Sequence, residues 1–569
     1  MPETHVHEAD VLIVGGGVAA ACAAIRASEA GVRVMLVDKG FYGRSGTSSL
    51  ASGVFQAYME GDDLDRWVKA HTNPMVDVTA LRKGIRVTGD LLQAMDGWGV
   101  KWIKDKGRIQ RVDMAVGPLF PVNAMMAEGG PQFMMALRNE TLRRGVDVVN
   151  RVMVTELLTS DGKHPTGGRV VGALGVGTVD GEIHVFRATS TVLCTGPVHI
   201  PYPRAGAGFH GMPVNCTGDG VAAAYRAGAQ LSKMEFLAGW GVIPAEFYSA
   251  PGLEMGAGLG VRFTNGEGAE IAGGDRIRRF RLARAVIREY GEGRGPVYKD
   301  ATNLAPEDLR LYKQVVPIVL STYERAGYDP SRDRIPFVTM LPFQSGTLGG
   351  AGIRVAGDGS TTLPGLYAAG NTSDGGFMGL AQALNLCAVG GWYAGETGAA
   401  AARGVSPAAA VDAQVDRLAR ETLEPLERTG DNGFDTTRDE LEGLYGTDIT
   451  EILNEERLDN ILRRVRDIRG QLVPTMKAHD PHDLAKVLGM RNFLQCMEIS
   501  VEVVRRRTES RGNVLREDYP YMDNENWLKY TFARMGGNGE LDLFDEPIPD
   551  DEHHRIPERT RVLHPFFRS

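Results

Sequence analysis

Three consecutive glycines, Gly15-Gly16-Gly17, separate an apolar run, DVLIV, from an Ala-rich stretch, AAACAAIRASEAG. Glycine in such a turn lets the backbone approach a pyrophosphate, whose charge the N-terminus of the following helix stabilises. The third glycine of the G-x-G-x-x-G pattern is Ala20, a tolerated variant because only helix packing is at stake there. Val18 and Ala19 open the expected helix. A second apolar run, VRVMLVDKG, ends at Asp38, where a carboxylate accepts hydrogen bonds from ribose hydroxyls and disfavours a 2′-phosphate. The spacing predicts a βαβ unit over residues 10–39 that binds a dinucleotide. A Gly-rich turn in an unrelated α/β domain is the competing reading, and Asp38 argues against it.

The rest of the chain must supply elements to position these groups. At 569 residues it exceeds one ordinary hydrophobic core, so two or three domains are expected. A composition of 43% hydrophobic and 24% charged residues with 72 glycines fits a globular enzyme with many close backbone approaches. The net charge of −9 and pI near 5.8 argue against a surface built for nucleic acid. Cys22, Cys194, Cys216, Cys387 and Cys496 form no C-x-x-C, so on this spacing neither a zinc site nor an iron–sulfur cluster is expected. A reducing cytoplasm is the expected compartment. The N-terminus lacks the pattern of a secretory signal. The apolar stretch from Gly376 to Ala394 carries Gln382 and Asn385, costly in lipid, and is expected as a buried helix with no membrane span.

STVLCTG, residues 190–196, is expected to return the chain to the sheet after a hairpin turning at Asp180-Gly181, and TTLPGLYAAGN restores another strand. Mixed loops and charged helical pieces suggest a capping domain inserted at 236–342. Residues 1–235 and 343–403 would then form the first domain. Helical spacing of Leu, Val and Ile predicts a helical C-terminal domain over 404–530. Residues 531–569 read as a tail, with Phe544, Leu563, Phe566 and Phe567 as potential anchors.

Several segments together resemble the flavoprotein subunits of fumarate reductase, succinate dehydrogenase and adenylylsulfate reductase. They are DVLIVGGG, RSGTSSLASG, TVLCTG, CTGDG, TTLPGLYAAGN and ESRGNVLREDYPYMDNENWL, spread over nearly the whole chain. The resemblance implies an α/β, Rossmann-like FAD-binding domain with an inserted capping domain and a helical C-terminal domain. It implies FAD lined by Gly15, Gly17, Val18, Ala19, Asp38 and Lys39, and wrapped by Ser45, Gly46, Thr47, Ser52 and Gly53. Val154 would meet the adenine, and Thr195, Gly196, Thr217 and Asp219 would line the cofactor. Asn371, after Gly370, stands where the family has an acidic ribityl ligand. Asn385 and Leu386 would face the pyrimidine end of the flavin from a helix start. Two-electron chemistry on a small molecule at flavin N5 and an iron–sulfur, ferredoxin-like partner are also implied. An oxygen-using oxidase and a catalytically silent flavoprotein for electron relay are the alternatives.

Departures from the resembling families are as informative. Covalent members have a histidine where Gly46 follows Arg44-Ser45, so a non-covalent flavin is expected. The diacid enzymes' His-Gly-Ala-Asn-Arg is Met378-Gly379-Leu380-Ala381-Gln382 here. Their other two pocket histidines become Trp240 and Ser345. The segment IPAEFYSAPGLEMGAG leans toward adenylylsulfate reductase. The polar groups expected over the flavin are Gln344, Gln382, Trp240, His210 and Glu254, although a lone His or Trp beside a Gly-rich loop is more often packing than chemistry.

Overall fold

The computed structural model describes every residue except 1–2, 72–74, 113–122, 205–212, 238–240, 248–259, 273–278, 316, 345–349, 376–382, 553, 555 and 568–569. A seven-stranded sheet lies at its centre, built from β1 (Thr4–Val14), β2 (Val34–Asp38), β3 (Asp147–Asn150), β4 (Val152–Thr159), β5 (Val170–Gly177), β6 (Ile183–Leu193) and β7 (Leu366–Ala368). The order is β3-β2-β1-β6-β5-β4. β6 is long enough for two partners on one side: β5 runs antiparallel beside its first half, and β7 runs parallel beside Thr191 to Leu193. The parallel centre is buried on both faces, as its continuous apolar runs require.

α1 (Val18–Glu29) crosses from β1 to β2 and packs on α3 (Ala383–Ala402). The alanines of α1 and the glycines of α3 serve the same contact. A Cβ on Gly391 would stand 2.1 Å from the Ala19 carbonyl oxygen, and one on Gly395 would stand 2.3 Å from that of Ala23. The two backbones therefore touch, which fixes where α1 begins. α3 is the part of the apolar 376–394 stretch that is described. Among the described residues no helix is long and apolar enough to cross a membrane.

Between Val242 and Thr339 a separate antiparallel five-stranded sheet forms its own core, with Phe263 and Phe337 packed edge to face at 5.7 Å. Helices Asp412–Glu427, Phe434–Glu442, Glu455–Asp467 and Pro481–Arg506 follow. The last of these packs on α2 (Asp219–Ala227) and so reaches the first sheet.

Part of the segment expected as a tail is a hairpin. Lys529–Met535 pairs with Leu541–Pro547, and the first strand also pairs with Leu231–Ser232. Phe544 packs against Phe532 at 5.5 Å, and Leu563 pairs with Tyr521, so two of the four expected anchors are engaged within the chain. The signal is Asn538-Gly539 between an aromatic-bearing run, KYTFARM, and a more acidic one, LDLFDEP.

Candidate functional site

The strands deliver their chemistry at their C-terminal ends. Val14 is in register with Val37 on one side and Leu193 on the other, and Leu193 with Ala368. Gly15, Asp38, Thr195-Gly196 and Gly370-Asn371 therefore emerge together around the start of α1. They line one open cleft. Gly17, Val18, Ala19, Lys39, Ser45, Gly46, Thr47, Val154 and Asp219 are in the same wall. Ser52, Gly53 and Thr217 are not in its lining. Asn385 and Leu386 are buried in the first turn of α3, whose Cys387 does line the cleft. Gln382, Trp240, His210 and Glu254 lie outside the described residues.

The glycines are dictated by closeness. Gly15 has φ +119°, and a Cβ there would stand 2.2 Å from the Cys194 carbonyl oxygen. On Gly16 a Cβ would stand 2.5 Å from Asp38 Oδ2. Gly17 caps α1 without any side-chain bond, while the Val18 N–H donates to Ser48 Oγ at 3.1 Å. The helix N-terminus thus opens on the cleft with its positive end available to an anion.

Asp38 is nearly fully buried. Burial raises its carboxyl above the usual range, opposed by hydrogen bonds from Ser45 Oγ (2.5 Å) and from the N–H groups of Gly40 and Lys39. Lys39 is the cation in the wall, and its Nζ meets Asp219 Oδ2 at 2.7 Å. Burial works against its charge, but Asp219 outweighs it and holds the ammonium above its ordinary pKa. Asp219 also accepts from Thr217 Oγ1 at 2.8 Å and from Asn492 Nδ2 at 2.9 Å. Thr217 and Asn492 thus support a lysine–aspartate pair in the wall of the cleft.

Sequence reasoning missed several lining or supporting residues, among them Ser48, Asn215, Cys216, Thr372 and Asn492. Thr372 Oγ1 accepts from the Gly196 N–H at 2.9 Å, tying the turn after β6 to the turn after β7. Ser48 has a signal in the Ser-rich stretch after Asp38, and Cys216 opens the CTGDG segment. Burial pushes the thiols of Cys216 and Cys387 up to about 11 and about 12, so neither is a thiolate near neutral pH.

Gln344 is fully buried, and neither its amide nitrogen nor its amide oxygen has a hydrogen-bond partner among the described residues. Its carbonyl accepts from the Ile200 N–H at 2.9 Å, in the segment following the Gly196 turn. Two unmet polar atoms on one buried side chain are costly unless a ligand or neighbour meets them.

The FAD binding domain family matches residues 10–384, and the fumarate reductase flavoprotein C-terminal family matches residues 438–562. The chain belongs to the fumarate reductase/succinate dehydrogenase family of FAD flavoproteins. One of the subunits of the fumarate reductase (CoM/CoB) of Methanothermobacter marburgensis is 27% identical over 91% of this chain and 96% of its own. L-aspartate oxidase of Streptomyces coelicolor is 26% identical over 95% of this chain and 94% of its own. A variant of E. coli quinol fumarate reductase shares the fold with a TM-score of 0.83 at 20% identity, covering 98% of this chain and 99% of its own. Adenylylsulfate reductase from Archaeoglobus fulgidus does so with a TM-score of 0.79 at 18% identity over 97% of each chain.

This flavoprotein's cleft fits its cofactor. The glycine floor admits a pyrophosphate against the N-terminal end of α1, and Asp38 stands one strand away, where an adenosine ribose would lie. The flavoprotein is an FAD-dependent oxidoreductase.

Proposed function

We propose that this flavoprotein holds FAD without a covalent bond in the cleft at the strand ends and uses it to oxidise or reduce a small molecule that is not a C4 diacid. Electrons then pass to or from an iron–sulfur protein. The observation that carries the reading is the convergence of four strand ends on a wall without a redox group of its own. Its cysteines are protonated thiols, and its lysine is committed to Asp219. Bound FAD supplies the two-electron couple, and the protein supplies orientation and polarity. A separate iron–sulfur protein is what the resemblance to flavoprotein subunits implies, and the five cysteines, without cluster spacing, offer no cluster in its place.

Reduced protein mixed with candidate acceptors tests the reading. Reoxidation by a small molecule supports it. Reoxidation by a ferredoxin-like protein alone would identify an electron relay instead. The L-aspartate oxidase relative favours one second reading, an oxidase that hands electrons to oxygen, and stoichiometric peroxide would reveal it.

The non-covalent attachment has its own test. Gly46 lines the cleft with φ +76°, a backbone state that favours glycine, and it offers no nucleophile. Acid precipitation is expected to leave the yellow colour in the supernatant. Colour in the washed pellet would overturn this.

Asp38→Ala is expected to weaken FAD binding while leaving the fold intact. A hydrogen bond to a charged group contributes roughly 1.5–3 kcal/mol, so affinity should fall about tenfold to a hundredfold. An unchanged dissociation constant would remove Asp38 as the ribose ligand.

A further inference from the structure

The opposite end of β1 carries a cluster that the flavin chemistry does not use. β1 and β6 run parallel with His5 beside His184 and His7 beside Phe186. Side chains alternate along a strand, so His5, His7, His184 and Phe186 share one face of the sheet. Glu182, just before β6, joins them: its Oε2 lies 2.7 Å from His5 Nε2. The ring of His184 is stacked between those of His5 and His7, with centroids 4.9 and 5.3 Å away, and His7 Nε2 meets His184 Nδ1 at 3.0 Å. One ligand atom each from His5, Glu182 and His184 lies within 4.8 Å of the others.

We propose that His5, Glu182 and His184 bind a late first-row divalent cation of the zinc type, with His7 orienting His184. Two imidazoles and one carboxylate are the donor set that such ions prefer, whereas calcium and magnesium take oxygen ligands. In a tetrahedral site with bonds of about 2.0–2.1 Å the ligand atoms stand about 3.4 Å apart. Rotations of the partly exposed His5 and Glu182 side chains close the remaining gap, and water fills the fourth position. Phe186 stacks on His7 at 4.7 Å and limits how far that ring can turn. The ion would pin the half-exposed start of β1 to β6. His5 is ten residues from Gly15 on a strand rising about 3.3 Å per residue, so the site is about 33 Å from the cofactor cleft.

The test uses the full-length, FAD-loaded protein and the metal alone. Equilibrium dialysis with zinc chloride is expected to show one ion per chain. His184→Ala and the double variant His5→Gln/His184→Gln should bind it about tenfold or more weakly, with FAD content unchanged. Cobalt(II) should give visible absorption bands in the wild type that the double variant loses. Because the ion binds only the folded chain, zinc should raise the melting temperature of the wild type and not of the double variant. Glu182→Gln, which keeps the side chain's size, should weaken binding without altering the far-ultraviolet circular dichroism. No bound ion, an affinity unchanged in the double variant, or equal binding of magnesium at this place would overturn the proposal.

Discussion

Gly15→Ala is expected to give a protein that purifies without its yellow colour. Gly15 ends β1 at φ +119°, and a methyl there would stand 2.2 Å from the Cys194 carbonyl oxygen, a backbone atom of the neighbouring strand end. Neither partner is a flexible side chain, so the strands themselves must part. The backbone state costs about 1–3 kcal/mol for a residue with a side chain, and forced overpacking costs about 1–3 kcal/mol more. Both fall on the floor of the cleft, so FAD affinity should drop about a hundredfold or more. Gly46→Ala is the control. Its φ of +76° carries a similar backbone cost, but nothing lies within 4 Å of the added methyl. It should keep far more of the FAD. Stoichiometric FAD and an unchanged melting temperature in Gly15→Ala would show that the strand ends do not hold the cofactor as argued.

Why Gly15 could be read from the sequence, and Asn492 could not, is a matter of where the signal sits. Gly15, Asp38, Thr195-Gly196 and Gly370-Asn371 each end a run of apolar residues. A parallel sheet places the ends of its strands side by side, so locating the runs locates the cleft. The Lys39–Asp219 pair spans 180 residues, and the bond from Asn492 to Asp219 spans 273. No local pattern encodes such partners, because they are chosen by how Pro481–Arg506 packs on α2. Gly489 records the same packing: a Cβ there would stand 2.8 Å from Thr217 Oγ1. In the sequence it is one glycine in a long helical run. The hairpin of 529–547 is legible in principle from Asn538-Gly539, but its acidic second strand obscures the alternation. Ser48, which receives the first N–H of α1, shows a third case. The residue type is conspicuous, but only the folded loop shows which serine reaches the helix.

The protein is expected neither to reduce fumarate nor to oxidise succinate at a useful rate. The diacid enzymes it resembles hold a dicarboxylate with an arginine, which also relays the proton, and with histidines. At the corresponding positions this chain has Gln382, Trp240 and Ser345. Gln344, which precedes Ser345 in the sequence, is an uncharged amide. Two other arginines, the candidates to replace the missing one, are already engaged. Arg204 donates through its N–H to Glu442 and through its guanidinium to Asp439, and Arg262 faces Asp300 at 3.5 Å. Each lost charged hydrogen bond removes roughly 1.5–3 kcal/mol, and loss of the proton-relaying group removes general acid catalysis worth about 10²–10⁴-fold. The effects need not add, but two of them suffice to make the diacid reaction negligible. Fumarate with reduced viologen, and succinate with an artificial dye, are the assays that decide it. A turnover number above about 1 s⁻¹, the low end for ordinary enzymes, would sink the prediction. It would mean that a cation outside the Gln382 position clamps the diacid, and Arg204→Ala and Arg262→Ala would then identify which one.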